Sequence, residues 1–432
     1  MKTTNSPLRD RLPALGQWIA LGSLVGLICG AASALFLWLL ERATTFRVQH
    51  EVLVYALPLS GLGVGWLYER FGGAIRAGNN LVIDAIHDDG PELPLRMAPM
   101  VLAGTVLTHL FGGSAGREGT AVQMGASLTD WVAHRLRVDK GTRRRLLAAG
   151  VAGGFGSVFG TPIAGAVFGL EFIVLGRIEY DALVPALIAS VVGDMTTRAL
   201  GIVHTHYTTA LATPLTPSLL SKWLVFAAAA SAVATLFIEL NHFIKKQSEA
   251  RLARLPVRMF FGGVAVVGLW KLVGTSDYLG LGVPLISRAF VDPHLPVATF
   301  AWKLVFTAIT LGAGFLGGEV TPLFVIGATM GNVLARSLGI PLELGAGVGL
   351  AAIFAASANT PLALSIMAAE LLGAAVFPHV VVVCVVAYLL TGHRSIYPAQ
   401  RLFRSKGGEP QAQVKALRDL KAPSPSKKSG PA

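Results

Sequence analysis

Two carboxylates stand next to glycines in stretches that are otherwise apolar: Glu118 in Gly116-Arg117-Glu118-Gly119-Thr120, and Glu319 in Gly317-Gly318-Glu319-Val320-Thr321-Pro322. The residues flanking Glu118, 97–110 and 121–133, are mainly apolar, which places this acid at membrane depth. A charge there is costly unless it meets a partner, an ion or a water-filled path, so it is a candidate functional group. Glycines before a helix leave free N–H groups at the helix end, where an anion can be held. A carboxylate beside such amides can compete with a permeating anion and release the site when protonated. Glu319 has the same setting, as a partner of the exposed amides or as a proton carrier, and Thr321 adds a hydroxyl in the same turn. Asn79 and Asn80 are polar groups in an apolar neighbourhood and need hydrogen-bond partners; amide donation to a small anion and simple helix capping both remain open for them.

The elements that must position these groups are membrane helices. Of 432 residues, 53% are hydrophobic and 14% charged, too apolar for an ordinary soluble domain, so the fold class is all-α and polytopic. Many apolar runs are shorter than the ~20 residues a helix needs to cross ~30 Å of hydrocarbon. With 49 glycines and 23 prolines, short runs point to discontinuous helices of a transporter. Cys29 and Cys384 lie in apolar segments and form neither a disulfide scaffold nor a metal site, and the ten histidines lack ligand spacing. No cofactor, metal or enzymatic chemistry is expected.

The net charge of +12 does not indicate nucleic acid, because the cations cluster at segment ends, around 9–11, 135–145, 245–258 and 401–428. Such clusters mark the cytoplasmic side, placing both termini there. The chain divides into a cytoplasmic segment 1–17, retained and not cleaved, a first transmembrane half 18–201, a connection 202–222, a second half 223–402 and a basic tail 403–432. The tail, rich in Lys, Pro and Ser, reads as disordered, with weak attraction to anionic lipid as the other reading.

The halves echo one another. Gly160-Thr161-Pro162 leads to Glu171 and Asn359-Thr360-Pro361 leads to Glu370, with equal Pro-to-Glu spacing. Gly112-Gly113 before Met124-Gly125 is matched to Gly317-Gly318 before Met330-Gly331. Glu171 and Glu370 are read as capping or interhelical groups, with a transport role for Glu171 as the alternative.

These motifs, in order from about Trp18 to Tyr397, resemble the CLC family of chloride channels and proton-coupled anion transporters, and more narrowly its bacterial fluoride-specific branch. The narrower resemblance lies in Arg76-Ala77-Gly78-Asn79-Asn80, where chloride members carry a serine at the place of Ala77, and in Thr120 and Glu319-Val320-Thr321-Pro322. It implies a CLC fold of two inverted repeats of tilted, partly broken helices, assembled as a homodimer with one anion path per subunit. It further implies a fluoride/proton antiporter in the bacterial inner membrane, exporting fluoride as protons enter. Glu118 and Glu319 would couple and gate. Gly116, Arg117, Gly119, Thr120, Val320, Thr321, Asn79, Asn80 and Tyr397 would surround the anion, Arg117 more as a structural pair than a ligand. Phe172 stands where many exchangers carry an inner proton-relay glutamate, which keeps a proton-uncoupled chloride or other halide channel as the alternative. A membrane structural or sensor protein is the reading from a third class.

Overall fold

The computed structural model describes residues 8–87, 90–205, 207 and 213–420. Among them the chain is almost entirely helical. The first half comprises α1 (Leu8–Gln49), α2 (Leu57–Phe71), α3 (Asn79–Ile86), α4 (Met97–Leu110), α5 (Glu118–Arg135), α6 (Lys140–Phe159), α7 (Pro162–Glu171) and α8 (Leu183–Ala199). The second comprises α9 (Pro217–Arg251), α10 (Leu255–Val273), α11 (Val283–Val291), α12 (Thr299–Gly312), α13 (Val320–Leu338), α14 (Leu342–Ala358), α15 (Pro361–Leu372) and α16 (Phe377–Leu390). Five helical stretches of the described residues are long and apolar enough to cross a membrane, and six more are apolar but of 10–17 residues. Short helices at membrane depth are tolerated where their ends are buried in protein or line a cavity.

The breaks have local causes. α6 ends at Gly160, whose φ of +72° is left-handed, and α14 ends at Asn359, with φ +58°. Glycine enters that region freely and asparagine more readily than most residues, so both terminate a helix. Proline then restarts the chain at N1, where its missing N–H costs nothing, as α7 and α15. The apolar run 146–175 is therefore two helices, and the run 362–390 is two helices for a separate reason, the left-handed Gly373 (φ +99°) between α15 and α16.

Reciprocal contacts tie the halves together. The Glu171 carboxylate accepts from the N–H groups of Leu362 (3.2 Å) and Ala363 (2.9 Å), capping α15. Glu370 does the same for Ile163 (2.9 Å) and Ala164 (2.8 Å) of α7. Gly116 and Gly318 form an antiparallel bridge, N to O at 2.6 and 2.9 Å. Contacts of i with j repeated as j with i indicate an approximate two-fold relation between the halves. The bridge also corrects one sequence match: Gly125, which packs on Gly150, corresponds to Gly327, which packs on Gly349. Met330-Gly331 lies one helical turn too far.

Three further expectations are corrected. α1 begins at Leu8, inside the stretch read as a separate 1–17 segment, and α9 begins at Pro217, inside the 202–222 connection. The tail is folded as far as Leu420: β1 (Val174–Leu175) pairs parallel with β2 (Arg401–Arg404), which pairs antiparallel with β3 (Pro410–Ala416) before α17 (Leu417–Leu420). This sheet is an addition to an all-α reading. Leu175, Leu402 and Leu417 bury together, and Arg418 holds Asp84 of α3 through two 3.0 Å bonds. A few apolar residues suffice here because β1 supplies a strand edge that the basic composition of the tail does not reveal. Residues 421–432, the rest of the tail reading, lie outside the described residues.

Candidate functional site

α5 and α13 begin on either side of the Gly116–Gly318 bridge, so their free N–H groups converge. The close approach requires glycine: a Cβ on Gly318 would lie 2.7 Å from the Gly119 nitrogen. Into this convergence goes the fully buried Glu118 side chain. Its Oε2 accepts from the N–H of Arg117 and of Thr321, each at 3.1 Å, and its Oε1 from the Thr321 hydroxyl at 2.5 Å. The Arg117 Nε lies 3.5 Å from Oε1, a pairing contact rather than a direct hydrogen bond. The carboxylate thus accepts from donors at two helix ends. Charge-assisted bonds of this kind contribute roughly 1.5–3 kcal/mol each.

Next to these helix ends lies a cavity of 270 Å³ lined by Glu319, Asn79, Asn80, Thr120, Tyr397 and Gln123, among others. Glu319 is the N-cap residue of α13, but its side chain makes no capping bond, leaving it directed to the cavity. Val320 is buried in the first turn of α13 and brings only backbone to the site. Tyr397 is buried beside Asn79 and meets the Phe172 ring edge-on at 4.9 Å. Asn80 uses its carbonyl to accept from Ala399 N–H at 3.0 Å, which ties α3 to the tyrosine segment. Asn79 packs its amide nitrogen against Gly119, while its carbonyl oxygen is buried without a hydrogen-bond partner. Thr120 pairs its hydroxyl with that of Thr105 at 2.7 Å, so its side chain braces α4 against α5.

All eleven sequence-derived residues therefore meet in one region. Glu118, Thr321 and the Arg117 amide are joined by hydrogen bonds at the converging helix ends. Glu319, Asn79, Asn80, Thr120 and Tyr397 border the cavity. Gly116 and Gly119 permit the approach. Glu171 points away, into the cap of α15.

The sequence reading missed the groups that hold the loop before Gly116. Lys303, wholly buried, donates to the Ser114 hydroxyl (2.9 Å) and to the carbonyls of Tyr278 (3.1 Å) and Gly280 (2.7 Å). Both ring nitrogens of buried His109 face carbonyls, Thr105 at 2.8 Å and Ala115 at 3.0 Å. The signal for Lys303 was present: a lone cation in the apolar stretch of α12. Also missed were Tyr68, Lys245 and Arg258, which line the same cavity.

The voltage gated chloride channel family model matches residues 60–392. The chain belongs to the CLC family. Over 425 residues, covering 95% of this chain and 92% of the relative, it is 45% identical to a chloride/fluoride channel protein of Pseudomonas syringae pv. tomato. A crystal structure of a CLC-type fluoride/proton antiporter superposes with a TM-score of 0.87 at 36% identity, over 92% of this chain and 100% of that one. A slow cyanobacterial chloride/proton antiporter shares the fold, with a TM-score of 0.77 at 21% identity over 87% of this chain and 94% of that one. This CLC member is a multi-pass ion-transport protein, not an enzyme, with the family's broken and tilted helices.

Proposed function

We propose that this protein is a fluoride/proton antiporter exporting fluoride across the bacterial inner membrane. The observation that carries the reading is the Glu118 carboxylate, held by the amides and hydroxyl at the converging ends of α5 and α13. Protonation removes the charge that these donors hold. Fluoride, small and strongly basic among halides, takes the vacated position, and return of the carboxylate expels it. Movement of proton and anion in opposite senses follows from competition for one position. The likeness to proteins described as a fluoride/proton antiporter and a chloride/fluoride channel supports fluoride as substrate. The basic ends 245–258 and the folded tail support a cytoplasmic placement of the cavity mouth and of both termini. Two such subunits assemble as a homodimer in the lipid bilayer, each with its own path; nucleic acid plays no part.

Phe172, stacked on Phe168 at 5.0 Å and against Tyr397, favours the second reading of a proton-uncoupled halide channel, because no acid stands at that position. Purified protein in fluoride-loaded liposomes separates the two. The antiporter takes up protons as fluoride leaves and drives fluoride uphill on a proton gradient. Proton-independent flux that prefers chloride would refute the antiporter.

A smaller change tests the position itself. Thr321→Val removes the hydroxyl and keeps the volume and the backbone donor. Loss of one charge-assisted bond predicts a roughly tenfold fall in fluoride flux, with proton coupling intact. Unchanged flux over a full fluoride titration would exclude the hydroxyl from the anion position.

A further inference from the structure

Gln400 stands three residues after Tyr397, and its side chain is wholly buried. A side-chain amide offers two N–H donors and two carbonyl lone pairs, and burying it is costly unless they are met. Here all four are. Nε2 donates to the carbonyls of Phe172 (2.9 Å) and Ala358 (2.8 Å), and Oε1 accepts from Ser395 Oγ (2.6 Å) and Asn359 Nδ2 (3.1 Å). These partners fix the orientation of the amide: turned over, it would set its oxygen against two carbonyls. Phe172 caps α7 and Ala358 ends α14, and the last carbonyls of a helix have no partner within it. One side chain therefore satisfies a helix end in each half of the protein.

The same bonds converge on Tyr397. Ser395 Oγ, which donates to Gln400, accepts the Tyr397 N–H at 2.9 Å. The Gln400 N–H closes the turn on the Tyr397 carbonyl at 3.0 Å. Phe172, whose carbonyl Gln400 holds, presents the ring that meets Tyr397 edge-on at 4.9 Å. The folded tail shuts the turn from its other side, the N–H groups of Leu417 and Arg418 donating to the carbonyls of Gln400 and Pro398, each at 2.9 Å. Tyr397 thus borders the cavity, with Glu319 and Asn79, from a turn that one amide pins to both halves.

We propose that Gln400 is a positioning residue for transport: it sets where the Tyr397 hydroxyl stands, without touching the anion itself. The inference rests on the reading of Tyr397 as a residue of the anion path. A hydrogen bond weakens steeply as it lengthens or bends, so a turn free to shift presents its hydroxyl less often in a bonding geometry. A cap that served stability alone would need only the two carbonyl bonds of Nε2. The link from Oε1 through Ser395 to the Tyr397 N–H is what a positioning role adds.

Fluoride transport is measured in liposomes for Gln400→Met and Ser395→Ala, each in the wild-type and in the Tyr397→Phe background. Gln400→Met keeps the length of the side chain and removes its four bonds. Ser395→Ala leaves both carbonyls capped and cuts only the link to Tyr397, so it carries the test where Gln400→Met fails to fold. Each is expected to raise the KM for fluoride about fivefold in the wild-type background. Where the tyrosine hydroxyl is already absent, each is expected to change KM by less than about twofold, because the two residues act as one unit. A rise of equal size in both backgrounds, or an unchanged KM in the wild-type background, would leave Gln400 a structural cap only. If Tyr397→Phe alone leaves KM at the wild-type value, the tyrosine is outside the anion path and the inference falls with it, while transport stands. A wild type that carries no fluoride would overturn the antiporter, and with it any part for Gln400 in transport.

Discussion

Glu118→Gln is expected to abolish proton-coupled fluoride movement without unfolding the protein. Glutamine keeps the volume and one acceptor for the Thr321 hydroxyl, but it carries no charge and takes up no proton near neutral pH. The wild-type carboxylate accepts two backbone N–H bonds and one hydroxyl bond in a site shielded from solvent. Exchanging this charge for a neutral amide removes much of several charge-assisted contributions of roughly 1.5–3 kcal/mol each. The competition between side chain and anion then no longer depends on protons. In liposomes, proton uptake per fluoride released should fall to background, and uphill fluoride transport on an imposed proton gradient should drop at least a hundredfold. Residual downhill fluoride leak is compatible with this result. Coupling equal to wild type would remove Glu118 from the mechanism, however well placed it is.

Most of this site was legible before any coordinates because its signals were local. A carboxylate between glycines in an apolar run, and proline two residues after a glycine or asparagine, carry their physics in adjacent residues. Tyr397, by contrast, came only from the resemblance; nothing around it in sequence says that Phe172 of the other half lies 4.9 Å away. Lys303 and His109 were overlooked because their partners are carbonyls and hydroxyls, which leave no sequence pattern, and not carboxylates. The tail was read as disordered because its composition is basic and polar. Its order comes from the edge of β1 and from Asp84, more than 200 residues away in sequence. Thr120, placed near the anion by its motif, borders the cavity and also shares its hydroxyl with that of Thr105, a partner that nothing in the sequence signals.

The Pro-to-Glu repeat was also legible, but its meaning required both halves at once. Each glutamate closes its own helix and caps the helix that its counterpart closes. Two N–H groups at the start of α15 depend on Glu171, and two at the start of α7 on Glu370. Water does not replace a lost cap readily inside the protein, so each exposed pair of N–H groups would cost several kcal/mol if left unsatisfied. Glu171 is 7% exposed, whereas Glu370 is only half-buried and its end of the cap reaches the exposed Ile163. Glu171→Ala should therefore destabilise the protein more, by about 3–5 kcal/mol against about 1–3 for Glu370→Ala. Thermal unfolding in detergent should rank wild type above Glu370→Ala and Glu370→Ala above Glu171→Ala. Glutamine at either position retains one acceptor and should recover part of the loss. Because the caps share no partner, the two alanine effects should add. A Glu171→Ala protein of unchanged stability but lost proton coupling would reverse the assignment, and would return that carboxylate to the transport path from which its geometry now removes it.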